Sequence, residues 1–427
     1  MPKQPLSPGT FTLRARYLLT MQEAPSEDGY ITIADGQIVA IGKNHQVEPV
    51  FDLGDVILMP GLVNAHTHLE FSDLANPLPA GDTFPEWILA VIASRRRQRA
   101  AMEGPGSPEA SAQVAVAHGL AESIRSGVTT IGEISTVPGS HHWYQPAEIQ
   151  TVLFQEILGL SGEDIPRHVK TAGEHLETST ADEEGLSLGI SPHAPYSVHY
   201  DLFERLCQLA AKARVPCALH LGESPAEMEL LRSGTGPFRE MLELLGAWSD
   251  SAIPRGIGPM AYLQQISQAP CSLIIHGNFL SELEYQFMAE QVDRMSLVYC
   301  PRTYHHFHDR PYPLQAILDH GVRVALGTDS RASNPDLDLL AEMQHVAHVH
   351  PETDPSLILE MGTRQGARAL GLEQTCGSLV PGKQADLVTI ACEPGRLADL
   401  ASVITAPGAT IEGVMRAGQW LVAPSSR

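Results

Sequence analysis

The sequence predicts an α/β fold: a (β/α)8 TIM barrel with a small β-sandwich domain built from both chain termini. Three observations predict it. Between Val56 and Gly371, eight short β-rich runs alternate with longer stretches of helical periodicity. Both ends instead carry short strands of period-two alternation and tight-turn residues. No Gly-x-Gly-x-x-Gly follows any strand, and the Gly234/Gly236 and Gly256/Gly258 pairs read as loop glycines, so a nucleotide-binding open sheet is disfavoured. At 427 residues the chain has room for one barrel of about 250 residues or more and a smaller unit. The expected division is a discontinuous β domain over 1–58 and 374–427, with the barrel over 59–373.

Each element has its own signal. Tyr30 to Gly42 alternates about Asp35-Gly36, a strong hairpin signature, and segments 377–390 and 411–422 share that character. The expected barrel strands are Leu62–Ala65, Thr129–Glu133, Thr151–Glu156, Ser187–Ser191, Pro216–His220, Ser272–His276, Ser296–Cys300 and Val322–Gly327. Helical spacing fills the gaps, as in Asp201 to Ala213. Gly104–Ser111 reads as a loop insertion after the first long helix.

Composition excludes several roles. Hydrophobic content of 43% and charged content of 18% describe a chain with a large core. The 28 Lys and Arg against 50 Asp and Glu leave a formal net charge of −22, which repels phosphate backbones and argues against nucleic-acid partners. Six cysteines occur with no Cys-x-x-Cys pair, and Cys217, Cys271 and Cys300 sit in apolar runs, which suits a reducing, cytoplasmic setting. No signal-peptide pattern and no run of 18 apolar residues occurs, so neither secretion nor a membrane partner is expected.

The chemistry concentrates where strands end. In Met59–Glu70 the first strand runs into His66 and His68, whose i, i+2 spacing turns two imidazoles to one side. One such pair among 19 histidines means little by itself. The fifth strand, however, ends in His220, the sixth in His276, and the eighth runs into Asp329. Active groups of a barrel collect on that face, and imidazoles with a carboxylate suit zinc, with ferrous iron as second choice. Glu223, three residues past His220, is placed to move protons beside the metal; a glutamate favoured by a helix N-terminus is the alternative, which the metal neighbourhood outweighs.

These motifs resemble the amidohydrolase superfamily, and within it the cytosine, triazine and adenosine-type deaminases. PGLVNAHTHLE, SPHAPYS at 191–197, HLGES at 220–224, Cys300-Pro301, LGTDS at 326–330 and GSLVPGKQADLV stand where that group has its signatures. The resemblance spans nearly the whole chain. It implies His66, His68, His220 and Asp329 as ligands of one divalent metal, Glu223 as proton shuttle, His276 as the group orienting the water, and His193 as a substrate contact. It also implies one metal rather than two, because the bridging lysine of two-metal members has no counterpart among Lys3, Lys43, Lys170, Lys212 and Lys383. Gly222 replaces the family's common Ala. After Cys300-Pro301 the usual Ser-Asn is replaced by Arg302, Thr303, Tyr304, His305 and His306. Arg302 and His305 are therefore expected either to recognise a carboxylate or bulky group on the substrate or to be ordinary loop residues.

The activity so implied is hydrolytic deamination of an amino-purine nucleoside or similar amino-heterocycle. Phe84, Trp87, His193, Tyr196 and His305 are expected to line the base slot, although Trp87 fits a helix core equally. Amide, cyclic-amide or halo-triazine hydrolysis on the same metal is the rival enzyme reading. A silent barrel scaffold is the rival of another class, and it should lack a ligand, which this chain does not. The expected partner is a small-molecule substrate, with a homo-oligomer compatible.

Overall fold

In the computed structural model, which describes residues 9–44, 47–101, 108–144, 148–178, 185–395 and 399–424, the chain opens with five short strands. These are β1 (Phe11–Leu18), β2 (Ser26–Ala34), β3 (Gln37–Gly42), β4 (Val50–Asp52) and β5 (Val56–Pro60). Asp35 and Gly36 adopt φ of 47° and 78°, as a two-residue hairpin turn requires, and Ala34 pairs with Gln37 across it. The last strands, β14 (Leu387–Ala391), β15 (Ile411–Arg416) and β16 (Gln419–Val422), complete one sheet in the order β16-β15-β14-β5-β1-β2-β3. It forks at β1, which pairs with β4 along Thr12 to Arg14 and with β5 at Tyr17 and Leu18. The two termini thus make one domain, with its own core of Leu13, Ile31, Ile33, Leu58, Leu387 and Met415. This sheet reaches Pro60.

The barrel strands are β6 (Leu62–Thr67), β7 (Val128–Ser135), β8 (Gln150–Ile157), β9 (Leu186–Pro192), β10 (Cys217–Leu221), β11 (Ser272–His276), β12 (Met295–Tyr299) and β13 (Val324–Leu326). They pair in parallel in chain order. Apart from Ser187 every residue in them is buried, as expected of strands covered on both faces. All eight correspond to runs read from the sequence, although the last is shorter than expected. The barrel closes where the amides of Thr328 and Asp329 both donate to the carbonyl of His66, at 3.1 Å. Gly327 permits this seam, since a Cβ there would lie 2.9 Å from the His66 carbonyl oxygen.

The chain crosses between the two domains twice, first at a single residue and again between the helix Arg364–Ala369 and β14. Gly61 alone separates β5 from β6, and its amide donates to the Asp386 carbonyl at 2.9 Å. The expected loop at Gly104–Ser111 falls partly outside the described residues, and its end is helical, because the helix Pro108–Arg125 already begins there. Pro is suited to a first helical position, where its missing N–H costs nothing. Among the described residues, no helix is long and apolar enough to cross a membrane.

Candidate active site

His66 is the penultimate residue of β6 and His68 lies just beyond the strand; their rings meet nearly perpendicular, with centroids 4.8 Å apart. His220 Nε2 stands 3.3 Å from His66 Nε2 and 3.4 Å from His68 Nε2. Asp329 Oδ1 faces the same two imidazoles at 3.6 and 3.8 Å, while Ser333 Oγ donates to its Oδ2 at 2.9 Å. All four groups are buried.

The donor set fits a cation. Burial pushes the imidazole pKa values down, far down for His66 and His68, so the rings are neutral and carry lone pairs. His220 Nδ1 donates to the His193 carbonyl at 3.0 Å, which fixes the proton there and leaves the Nε2 lone pair facing its neighbours. Three imidazole nitrogens and a carboxylate oxygen converging in this way can hold one divalent metal. His66 and Asp329 also meet at the barrel seam, so the closing backbone bonds set the spacing of these ligand types.

Backbone strain aims two of the side chains, Asp329 and a further residue, His276. His276 and Asp329 take positive φ, 70° and 56°, a region costly for non-glycine residues. Tyr312 holds the His276 carbonyl by a 2.9 Å hydrogen bond. In this pose His276 Nε2 lies 3.2 Å from Glu223 Oε1. The Glu223 backbone is fixed on both sides: its amide donates to Glu227 Oε2 at 2.8 Å, and its carbonyl accepts from Asn278 Nδ2 at 3.0 Å. Burial, then the charges of Asp329 and Glu227, hold the pKa of the Glu223 carboxyl well above the usual carboxylate range.

A cavity of about 950 Å³ opens over these groups, walled by Phe84, Trp87, Val91, Tyr196, Met241 and Trp248 among others. The amidohydrolase family model matches residues 57–421. The chain belongs to the amidohydrolase family. As such it is a hydrolase of carbon–nitrogen bonds other than peptide bonds. It is 30% identical over 381 residues to the 5-methylthioadenosine/S-adenosylhomocysteine deaminase of Pyrococcus furiosus, covering 84% of this chain and 81% of that one. Its fold matches Helicobacter pylori aminofutalosine deaminase in complex with methylthio-coformycin, with a TM-score of 0.82 at 23% identity, over 96% of this chain and all of the other. An adenosine deaminase from Xanthomonas campestris with bound zinc matches with a TM-score of 0.77 at 26% identity, over 98% of this chain and 94% of that one.

Of the residues expected to touch substrate, this amidohydrolase brings some to the cavity and not others. His193, Phe84, Trp87 and Tyr196 line it. Trp87 stacks on Phe84 and points its indole N–H at the Ala332 carbonyl, 3.4 Å away. Arg302 and His305 are not among the lining residues. The Arg302 guanidinium turns away to the carboxylates of Glu342, at 2.7 Å, and Asp336, at 2.6 Å. A buried cation is stabilised by such partners and has no need of a ligand's. His305 Nδ1 pairs with His345 Nε2 at 3.0 Å. Of the two readings the sequence leaves open for these positions, these partners fit the one without a substrate contact.

The roles of three glutamates beside the site are not evident from the sequence. Glu70, in the same motif as the histidines, accepts from Thr136 N at 2.7 Å and Arg95 at 3.0 Å, while both carboxylate oxygens of Glu133 accept from Leu69 N at 3.1 Å. These bonds anchor the turn that follows His68. Glu156 lines the cavity beside His193. Its one signal is its place as the last residue of the third expected strand.

Proposed function

We propose that this amidohydrolase removes an exocyclic amino group from an amino-purine nucleoside or a similar amino-heterocycle, releasing ammonia. In this reading His66, His68, His220 and Asp329 hold one divalent metal, zinc before iron. When bound, the metal supplies a Lewis acid that lets water act as a nucleophile at neutral pH. Asp329 takes up a proton from the attacking water. His276 Nε2 donates to the attacking oxygen and orients it toward the ring carbon that bears the amino group. Glu223 gives its proton to the adjacent ring nitrogen; Asp329 passes the water's proton to the departing amino group, the exocyclic C–N bond breaks and ammonia leaves, and the new hydroxyl returns its proton to Glu223 as the ring carbonyl forms. His193, beside His220, contacts the substrate. The cysteine usage supports a cytoplasmic setting.

One observation carries this reading: a buried carboxyl, whose pKa burial and the charges of Asp329 and Glu227 push up, stands 3.2 Å from His276 and beside the histidine–aspartate cluster. Attack on an amidine-type ring needs a proton delivered to nitrogen, whereas simple amide hydrolysis can run with Asp329 as both acid and base. The named deaminase relatives point the same way. A panel of amino-purine nucleosides, free amino-purines, cyclic amides and chloro-triazines, assayed for ammonia or chloride release, tests it. Ammonia from a nucleoside is expected; turnover confined to amides or triazines would overturn it.

A further inference from the structure

Glu156 stands near the end of β8 on the cavity wall, only 7% exposed. Its Oε1 is buried and has no hydrogen-bond partner among the described residues. A buried carboxyl without partners costs free energy, and one facing a ligand cavity can recover it from the ligand. Arg95 also lines the cavity, but its guanidinium is engaged by Glu70 at 3.0 Å and lies over the Phe71 ring at 4.0 Å. His193 Nε2 is 3.9 Å from Glu156 Oε1, beyond direct hydrogen-bond reach, while His193 Nδ1 is held by Ser197 Oγ at 2.6 Å.

That gap has the dimensions of a bridging hydroxyl. Two hydrogen bonds of about 2.7–2.9 Å meeting at nearly a right angle span it. One hydroxyl, a donor and an acceptor at once, can pair with both the Glu156 carboxyl and the His193 ring nitrogen. We propose that Glu156 and His193 together bind a ribose hydroxyl, 2′ or 3′, of the substrate, and so make the site selective for ribonucleosides over deoxynucleosides. This inference rests on the proposed nucleoside reading. The burial and neighbouring Glu70 that push the Glu156 pKa up to about 8 accord with a group left short of partners.

The test compares kcat/KM for the best ribonucleoside with that for its 2′-deoxy and 3′-deoxy forms, in the wild type, E156Q and E156L. The wild type is expected to favour the ribonucleoside over one deoxy form by about 10–100-fold. In E156L that ratio falls toward one, chiefly through KM, and E156Q, which still offers a donor and an acceptor, restores part of it. Metal content is unchanged, and E156L melts no lower than the wild type without ligand, since it loses an unpartnered carboxyl. Equal rates on ribo- and deoxynucleosides in the wild type, or a parallel loss on all three in E156L, overturn this inference and leave the deaminase reading standing. A lower melting temperature with loss of metal in both variants assigns Glu156 a structural role and also overturns it. Ammonia release from no nucleoside overturns both readings.

Discussion

His276 Nε2 and Glu223 Oε1 are 3.2 Å apart, and each is held by a neighbour that fixes its backbone: Tyr312 on the His276 carbonyl, Glu227 on the Glu223 amide. The proposed reaction asks for such placement, since an acid and an orienting group whose targets lie within one ring act best when positioned before the substrate arrives.

Glu223→Gln keeps the shape and removes the transferable proton. Turnover is expected to fall by about 10²–10⁴-fold with metal content intact. Steady-state kinetics beside elemental analysis check this, and a near-normal rate on the best substrate would place the proton shuttle elsewhere.

Metal content itself is expected to be about one equivalent per chain. His66→Ala and Asp329→Ala should lose both metal and turnover, and dialysis against a chelator should abolish activity that zinc restores. Two tightly held equivalents in the wild type would contradict the single-site reading.

Arg302→Ala removes the partner of a fully buried carboxylate, Glu342, whose other contacts include Asn334, a neighbour of Asp329 in the chain. Destabilisation of about 3–5 kcal/mol is expected, measured by denaturant unfolding. Substrate preference should stay as in the wild type. A variant of normal stability with altered preference would restore Arg302 to the substrate site.

Glu156 makes stability depend on pH with a defined sign. Its folded-state pKa, about 8, lies above the ordinary value of 4.5, so the folded chain retains a proton that the unfolded chain releases. Stability from this group therefore declines as pH rises from 4.5 through 8. The melting temperature of E156L relative to the wild type should be higher at about pH 8.5 than at about pH 5; a constant difference would refute the assignment.

Much of this was legible because the relevant signals are local. Period-two runs, the Asp35-Gly36 turn and histidines at strand ends are statements about neighbours in the chain, and the parallel barrel brings strand ends together as a matter of topology. What the sequence hid was direction. Arg302 follows a strand end, but its partners stand 34 and 40 residues away, and only the packed helix Leu339–Val349 shows that it faces them. Glu156 was equally hidden: a glutamate ending a strand looks the same whether solvated or buried against a ligand cavity. Pro108, by contrast, marks a helix start within the chain itself, although the Gly and Ser around it suggest a loop.

The one-residue link at Gly61 has a consequence for how the protein is made. β5 leads straight into the strand that carries His66, and β5 is braced by β14, near the end of the chain. During synthesis the N-terminal half emerges first and waits, with β5 supported on one side only, by β1. The ribosome must deliver β14 before β5 has its second neighbour, although every residue of the metal site was translated earlier. The strand that leads into His66 therefore gains its second neighbour only from the tail, and a message truncated after Asp329 would leave β5 braced by β1 alone.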